Sequence, residues 1–197
     1  MEQTATDVDA RLAARLRALR GERRLTLEAL AEASGVSRSM ISLIERGGAS
    51  PTAGVLDRLA AALGLPLAAL FAEPPRANAS PLARRADQPL WRDPATGYLR
   101  RALSPPGHPS AFDLVEVVLP PGARVAYDPP QRSPVLDQQV WVLAGRLRHS
   151  LGEETVELTE GDCLAMRVDR PNAFENPGEE PTRYLVAVHA RPPGSRP

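Results

Sequence analysis

Two parts of this chain have residue types and spacings that could do chemistry. Residues 11–24 hold Arg11, Arg15, Arg17, Arg20, Arg23 and Arg24 against the single acid Glu22, a local net charge of +5 in a chain whose formal charge is zero. Such a guanidinium cluster attracts anions, and phosphate in particular. Further on, Arg38, Ser39, Ser42, Leu43 and Arg46 fall at helical spacing on one face, opposite the apolar Val36, Ile41 and Ile44. The second part is the stretch GDCLAMRVDRPNAFEN, residues 161–176, which reads as a strand, a tight turn and a second strand around a pocket. It contains no histidine, and Asn172 stands where a metal ligand would be expected.

The elements that position these groups are legible from composition. Of 21 prolines only Pro51 and Pro66 precede residue 73, and of eight aromatic residues only Phe71 does, so the first 72 residues read as helical and the remainder as strands and turns. We therefore expect a helical domain over 1–72, a connector over 73–86 whose prolines make it a semi-rigid spacer, and an all-β domain over 87–197. Cys163 stands alone, which excludes an intramolecular disulfide and any multi-cysteine metal site and fits a reducing cytoplasm. The Leu/Ala-rich run 53–71 is broken by Asp57, Arg58, Gly64 and Pro66, so it reads as a pair of soluble helices rather than a membrane span.

Within the first domain, Leu12, Leu16 and Leu19 predict an amphipathic helix over 9–20, capped by Asp9, with a basic outer face. Thr26 caps a second helix that ends near Ser34 before a turn at Gly35. Ser37 caps a short third helix, stopped by Gly47 and Gly48 in left-handed conformations. Ser50 followed by Pro51 predicts the start of a fourth helix running to Leu63, and Leu67 to Phe71 makes a further turn.

The segment LEALAEASGVSRSMISLIERGGASPTAGVLDRLAAALG resembles the XRE family, the helix-turn-helix proteins that include phage repressors and Cro. The resemblance spans roughly residues 9–72. Leu30, Ala31, Gly35, Val36, Ser37, Ile41, Ser42, Ile44, Glu45, Gly47, Pro51, Leu56, Leu59 and Ala60 are in register with the family pattern. It implies a second helix crossing the DNA backbone and a third lying in the major groove, with Arg38, Ser39, Ser42 and Leu43 facing base edges. Arg38 could donate two hydrogen bonds to guanine, and Leu43 could touch a thymine methyl. Thr26, Ser37 and Arg46, with Arg23 or Arg24, become candidates for phosphate contacts. Leu27 and Leu43 depart from the polar residues expected of the family.

In the second domain, strand-like runs at YLRRAL, FDLVEVVL, ARVAY, QVWVLAGRLRHS, TVEL, CLAMRV and RYLVAVHA are punctuated by PPG, AGR, LGEE, EGD and NPGEE. This pattern suggests a sandwich or jelly-roll barrel. The run from LPPGARVAY to RYLVAV resembles the cupin family, jelly rolls whose two motifs usually carry a histidine and glutamate metal site. Gly161, Asp162, Asn172 and Asn176 fall at the second motif's spacings, with Asn172 at its histidine, and Gln138 falls at the glutamate of the first. The first motif's two histidines align among Asp128, Pro130, Gln131, Arg132, Ser133 and Pro134, none of which supplies an imidazole. His108, His149 and His189 lie outside the motif positions and read as surface or barrel-edge residues.

Neutral amides are poor transition-metal ligands, so we expect no metal, no cofactor and no catalytic residue. Gln138 and Asn172 instead suit orienting a small polar ligand. Strand alternation puts Val140 and Val142 on the face of Gln138, and these four are the candidate ligand-binding residues. Trp141 then faces outward as a candidate for subunit contact, and Cys163 is expected to be a small buried residue.

The expected function is sequence-specific binding to a double-stranded operator by a transcriptional regulator. In this reading it is a cytoplasmic homodimer whose cupin-like domain dimerises and senses a small-molecule effector without metal. Two alternatives stand beside it: a metal-dependent cupin enzyme fused to a DNA-binding head, and a DNA-binding antitoxin or repressor with a protein partner.

Overall fold

The structure, a computed structural model, describes residues 5–127 and 136–190. Four helices come first: α1 (Ala5–Glu22), α2 (Leu27–Ser34), α3 (Arg38–Glu45) and α4 (Ala53–Ala62), followed by a 3-10 turn over Leu67–Leu70. The helical expectations hold in order, with differences at the ends. Asp9 lies inside α1 rather than capping it. The cap of α4 is Thr52, whose hydroxyl accepts from the Val55 amide at 3.4 Å, so Ser50 and Pro51 belong to the preceding loop. After α3 only Gly47 takes a left-handed conformation, at φ 69°; Gly48 does not.

The β domain is a two-sheet jelly roll built from β1 (Leu90–Arg92), β2 (Leu99–Ala102), β3 (Asp113–Leu119), β4 (Arg124–Tyr127), β5 (Leu136–Ala144), β6 (Arg146–Leu151), β7 (Glu154–Thr159), β8 (Cys163–Val168), β9 (Asn172–Glu175) and β10 (Thr182–Ala190). A six-stranded sheet runs β1-β2-β3-β10-β5-β8 and a four-stranded sheet runs β4-β9-β6-β7, with antiparallel pairing throughout. Alternating residues of both sheets, among them Val115, Val117, Val140, Val142, Leu147, Phe174 and Tyr184, fill the space between them.

The connector does not hold the two domains apart. It lies on the barrel, with the Arg76 amide donating to the Gly107 carbonyl at 2.9 Å, and the helical domain packs directly on the β domain. One buried apolar cluster crosses the junction, from Leu12, Leu16 and Leu70 to Trp91 and Tyr98. The Phe71 ring lies 5.6 Å from that of Trp91, which meets Tyr98 edge-on at 6.0 Å.

The polar bond across the junction comes from Asp93, which is 2% exposed. Its Oδ1 accepts from the Ala53 amide at the start of α4 at 3.0 Å, while Oδ2 accepts from the Thr96 amide at 3.0 Å. A carboxylate at this position satisfies an amide that the helix leaves free and complements the positive end of the helix dipole. Hydrogen bonds to a charged group contribute roughly 1.5–3 kcal/mol. Asp93→Ala is therefore expected to lower the unfolding free energy in urea by about 2 kcal/mol and to speed hydrogen exchange at the first amides of α4. A change below about 0.5 kcal/mol, the scale of an ordinary surface substitution, would show that the junction does not rest on this bond.

Candidate nucleic-acid interface and ligand cavity

The outer face of α3 is set by its cap and by one internal ion pair. Ser37 Oγ accepts from the Met40 amide at 3.2 Å, and Thr26 Oγ1 accepts from Ala29 at the start of α2 at 3.1 Å. Ile41 and Ile44 point into the core at 0% and 1% exposure, which fixes the rotation of α3. Arg20 of α1 holds the end of α3 through a two-armed pair with Glu45, at 2.7 and 2.8 Å, and donates to the Leu25 carbonyl at 2.9 Å. The Glu45 bonds hold the Arg20 pKa above its ordinary value. The sequence reading counted Arg20 only as part of a basic cluster; a glutamate 25 positions away carried no local signal.

Arg24, Thr26, Ser37, Arg38, Ser39, Leu43 and Arg46 are exposed and Ser42 is half-buried. Arg38 pairs with Glu28 of α2, and Arg46 donates to Ser42 Oγ at 2.8 Å. Leu43 folds over Gly48, where a Cβ would lie 2.7 Å from Leu43 Cδ1. Arg23 is turned inward: its Nε donates to the Leu63 carbonyl and its Nη1 to the Leu19 carbonyl, so it joins α1 to the end of α4. Met40, 40% exposed, stands among these residues and was not singled out in the sequence.

The second site is a cavity of about 100 Å³ where the helical domain meets the barrel. Its barrel wall includes Gln138 and Asn172 together with all three tyrosines of the chain, Tyr98, Tyr127 and Tyr184. Its other wall is helical: Asp57 and Ala61 of α4, then Leu65, Pro66, Leu67 and Ala68. Val140 and Val142 share the inward face with Gln138, as alternation requires, but are fully buried in the filled part of the barrel and do not line the cavity.

Phe174 is the hub of the barrel wall. It stacks on Tyr184 at 5.7 Å and meets Tyr127 edge-on at 6.2 Å. Burial raises the pKa of each tyrosine, so all three remain neutral phenols. Arg100, 5% exposed, also lines the cavity, with its guanidinium 4.6 Å from the centre of the Phe71 ring. The side-chain oxygen of Gln138 is buried without a hydrogen-bond partner.

The stretch 161–176 divides its work among its polar residues. Gly161 turns the chain at φ 90°, and Asp162 accepts from the Thr159 amide at 2.7 Å and its hydroxyl at 2.9 Å. Those bonds hold the Asp162 pKa below its ordinary value. Asn176 is fully buried and clamps loops, donating to the Leu119 and Glu180 carbonyls at 3.0 and 2.8 Å and accepting from Gly178 at 2.9 Å. Asn172, by contrast, faces the cavity.

A metal site of the kind that the cupin resemblance implies does not fit this wall. Gln138 and Asn172 are neutral amides, and the cavity they line also carries the Arg100 guanidinium, whose charge disfavours a bound cation. Among the described residues no three of His, Cys, Asp and Glu cluster in a way that could hold a metal. The first-motif positions Asp128, Pro130, Gln131, Arg132, Ser133 and Pro134 lie outside the described residues.

Two expectations about side chains are corrected. Cys163 is exposed, because it is Leu164, Met166 and Val168 that turn toward the barrel interior. It pairs in register with Trp141, which is 48% exposed on the outer face of the six-stranded sheet. His149 is not at a surface or an edge: it is 2% exposed, its ring lies 4.7 Å from Phe174, and its Nε2 has no partner.

Comparisons with known proteins agree with this geometry. A helix-turn-helix family model matches residues 16–70 and a cupin-domain model matches residues 115–188. The chain is 26% identical over 178 residues to the HTH-type transcriptional regulator SutR of Escherichia coli (strain K12), covering 90% of this chain and 94% of that protein. It is 41% identical over 59 residues to the immunity repressor protein of Bacillus phage phi105, covering 30% of this chain and 41% of the repressor. A crystal structure of an HTH_3 family transcriptional regulator from Vibrio cholerae superposes with a TM-score of 0.72 at 25% identity, covering 96% of this chain and 99% of the other. The chain is thus a two-domain protein with a helix-turn-helix head and a cupin barrel. Its head is an XRE-type helix-turn-helix domain, and the relatives that share this two-domain build are HTH-type transcriptional regulators. No helix among the described residues is long and apolar enough to cross a membrane.

Burial holds the His149 pKa down at about 4. The unfolded chain binds this proton near pH 6.5 and the folded chain only near 4, so stability is full above 6.5 and falls as pH drops toward 4. The loss attributable to this group is about 3 kcal/mol. His149→Leu is expected to flatten the acid limb of a stability curve measured by urea unfolding between pH 7 and 4. An unchanged acid limb would place the pH sensitivity elsewhere.

Proposed function

We propose that the protein regulates transcription by seating α3 in the major groove of an operator as a homodimer on a near-palindromic site, while its barrel dimerises the chain and holds a small effector without metal or catalysis. The observation that carries this reading is the recognition face. The buried Ile41 and Ile44 and the Arg20–Glu45 pair fix α3, leaving Arg38 and Ser39 exposed with Ser42 beside them. Arg38 gives up only an exposed ion pair with Glu28 to reach a guanine, and such pairs contribute little. In a two-fold dimer the recognition helices would sit about one helical turn, roughly 34 Å, apart. Trp141, exposed beside Cys163 on the outer sheet face, supports that face as the subunit contact.

The neutral amides at the positions that bear ligands in metal cupins favour sensing over oxygenase or isomerase chemistry. The relatives named as transcriptional regulators point the same way. The absence of any candidate membrane-spanning helix among the described residues supports action in the cytoplasm.

The test begins with duplexes selected from a random pool by the full chain. Arg38→Ala is expected to weaken binding to the selected site by roughly tenfold and to relax preference at one base pair, since one bidentate contact contributes about 1–3 kcal/mol of discrimination. Arg24→Ala is expected to weaken selected and random duplexes alike and to reduce the salt slope by about one unit. Affinity that does not change between low and physiological salt, or an Arg38→Ala protein with full affinity and preference, would overturn this reading.

A further inference from the structure

The junction cavity contains a charge that the fold does not explain. Arg100 is 95% buried by its 5% exposure, yet among the described residues no carboxylate oxygen lies within 4.0 Å of it. Asp113 is near enough to feel its charge without forming an ion pair with it. The Arg100 Cζ lies over the Phe71 ring at 4.6 Å, a contact that uses none of the guanidinium's N–H donors on an acceptor oxygen. A largely buried guanidinium without an ion pair is stabilised when an anion reaches it, and a carboxylate matches its two-pronged donor geometry.

The rest of the wall fits a small acid. Asn172 brings an amide that can donate, and the tyrosines stay neutral in burial and keep their hydroxyl donors. Phe174 and the valines of β3 and β10 supply apolar surface for a short hydrocarbon or ring. At about 10–15 Å³ per water, a cavity of about 100 Å³ admits a molecule of several heavy atoms. Asp57 also lines the cavity and is engaged in interactions of its own.

We propose that this cavity binds a small organic monocarboxylate, with its carboxylate on Arg100, and that α4 and the turn after it close over the bound acid. The proposal rests on the reading of the barrel as an effector sensor and adds both the ligand class and the coupling route. An acid held here lies between a barrel wall that includes Arg100 and Asn172 and a head wall of Leu65, Pro66, Leu67 and Ala68. The cation that holds it lies against Phe71, at the end of the head. Occupancy therefore favours the docked arrangement of the head, which is the differential contact that a regulatory ligand requires.

The experiment uses the full chain and three probe pairs of matched shape: butyrate with butylamine, benzoate with benzylamine, and phenylacetate with phenethylamine. Affinity is read by calorimetry and thermal shift, and backbone hydrogen exchange is followed over residues 53–70. At least one carboxylate is expected to bind at about millimolar affinity or better, with its amine partner at least tenfold weaker. Arg100→Gln is expected to weaken the carboxylate about tenfold or more, and Arg100→Lys, which keeps the charge but not the fork, to recover part of it. Exchange at the amides of α4 and residues 65–70 is expected to slow on binding.

Amines that bind as tightly as the acids, acids that fail throughout the set, or an Arg100→Gln protein of unchanged affinity that still folds cooperatively would each overturn the ligand class. Slowed exchange confined to barrel strands would overturn closure by the head. Operator binding is measured on the same preparations without added acid. If that succeeds while carboxylate binding fails, the anion site is wrong and the regulator reading stands; if carboxylates bind and no duplex does, the reverse holds.

Discussion

The buried Asp93 carboxylate accepts the first amide of α4 across the boundary between two domains, and most of what the molecule can do depends on that bond. A carboxylate left alone in such a place would be costly, but here both oxygens are used and the helix dipole favours the charge. The bond sets α4 against the barrel, and the Phe71–Trp91–Tyr98 ring contacts extend the same apolar core through the junction. Because α4 also packs against α2, which packs against α3, the orientation of α3 relative to the barrel is set through packed helices. The two domains share a core, so the connector does not act as a spacer.

Within the head, polar groups divide between holding and reading. Arg20 and Arg23 are spent on Glu45 and on backbone carbonyls, where they close the ends of α1, α3 and α4. Among the described residues Arg38 pairs with the exposed Glu28 and Arg46 with the half-buried Ser42 at the protein surface, contacts that contribute little. The basic cluster over residues 11–24 is thus not one surface: Arg20 and Arg23 are held by a carboxylate and by carbonyls inside the fold, whereas Arg24 is exposed.

The local code for this architecture was largely legible in the sequence. Thr26, Gly35 and Ser37 punctuate the helices where cap and turn chemistry place them, and the glycines at 122, 145, 152 and 161 mark the strand turns, each at positive φ. Alternation correctly separated Gln138 from Trp141. What escaped was long-range. Nothing near Asp93 announces that it caps a helix forty residues earlier in the chain, and Ser50 resembled a better cap than Thr52 because Pro51 follows it. His149 sits in an alternating strand whose inward face is apolar, and its polarity suggested a surface. The cavity was half legible: Gln138 and Asn172 came from motif spacing, whereas Arg100 and the helical cover required the fold, since β2 and α4 meet only in three dimensions.

These features bear on how a barrel of this kind could inform a DNA-binding head. A ligand enclosed wholly by the β sheets would contact the same atoms whatever the head was doing and would have no means of favouring one arrangement. The cavity here has one wall from each domain, so its shape is a function of how they are docked. Arg100 sharpens that dependence, because its charge is covered on one side by Phe71 and offered on the other to the cavity. Moving the head away would uncover the guanidinium to water and remove the incentive for an anion to sit beside it. Docked, the same cation is largely buried, and its attraction for a carboxylate would be strongest. Under the proposed site, ligand affinity and domain docking would be two views of one equilibrium, with the buried arginine as the group through which each acts on the other.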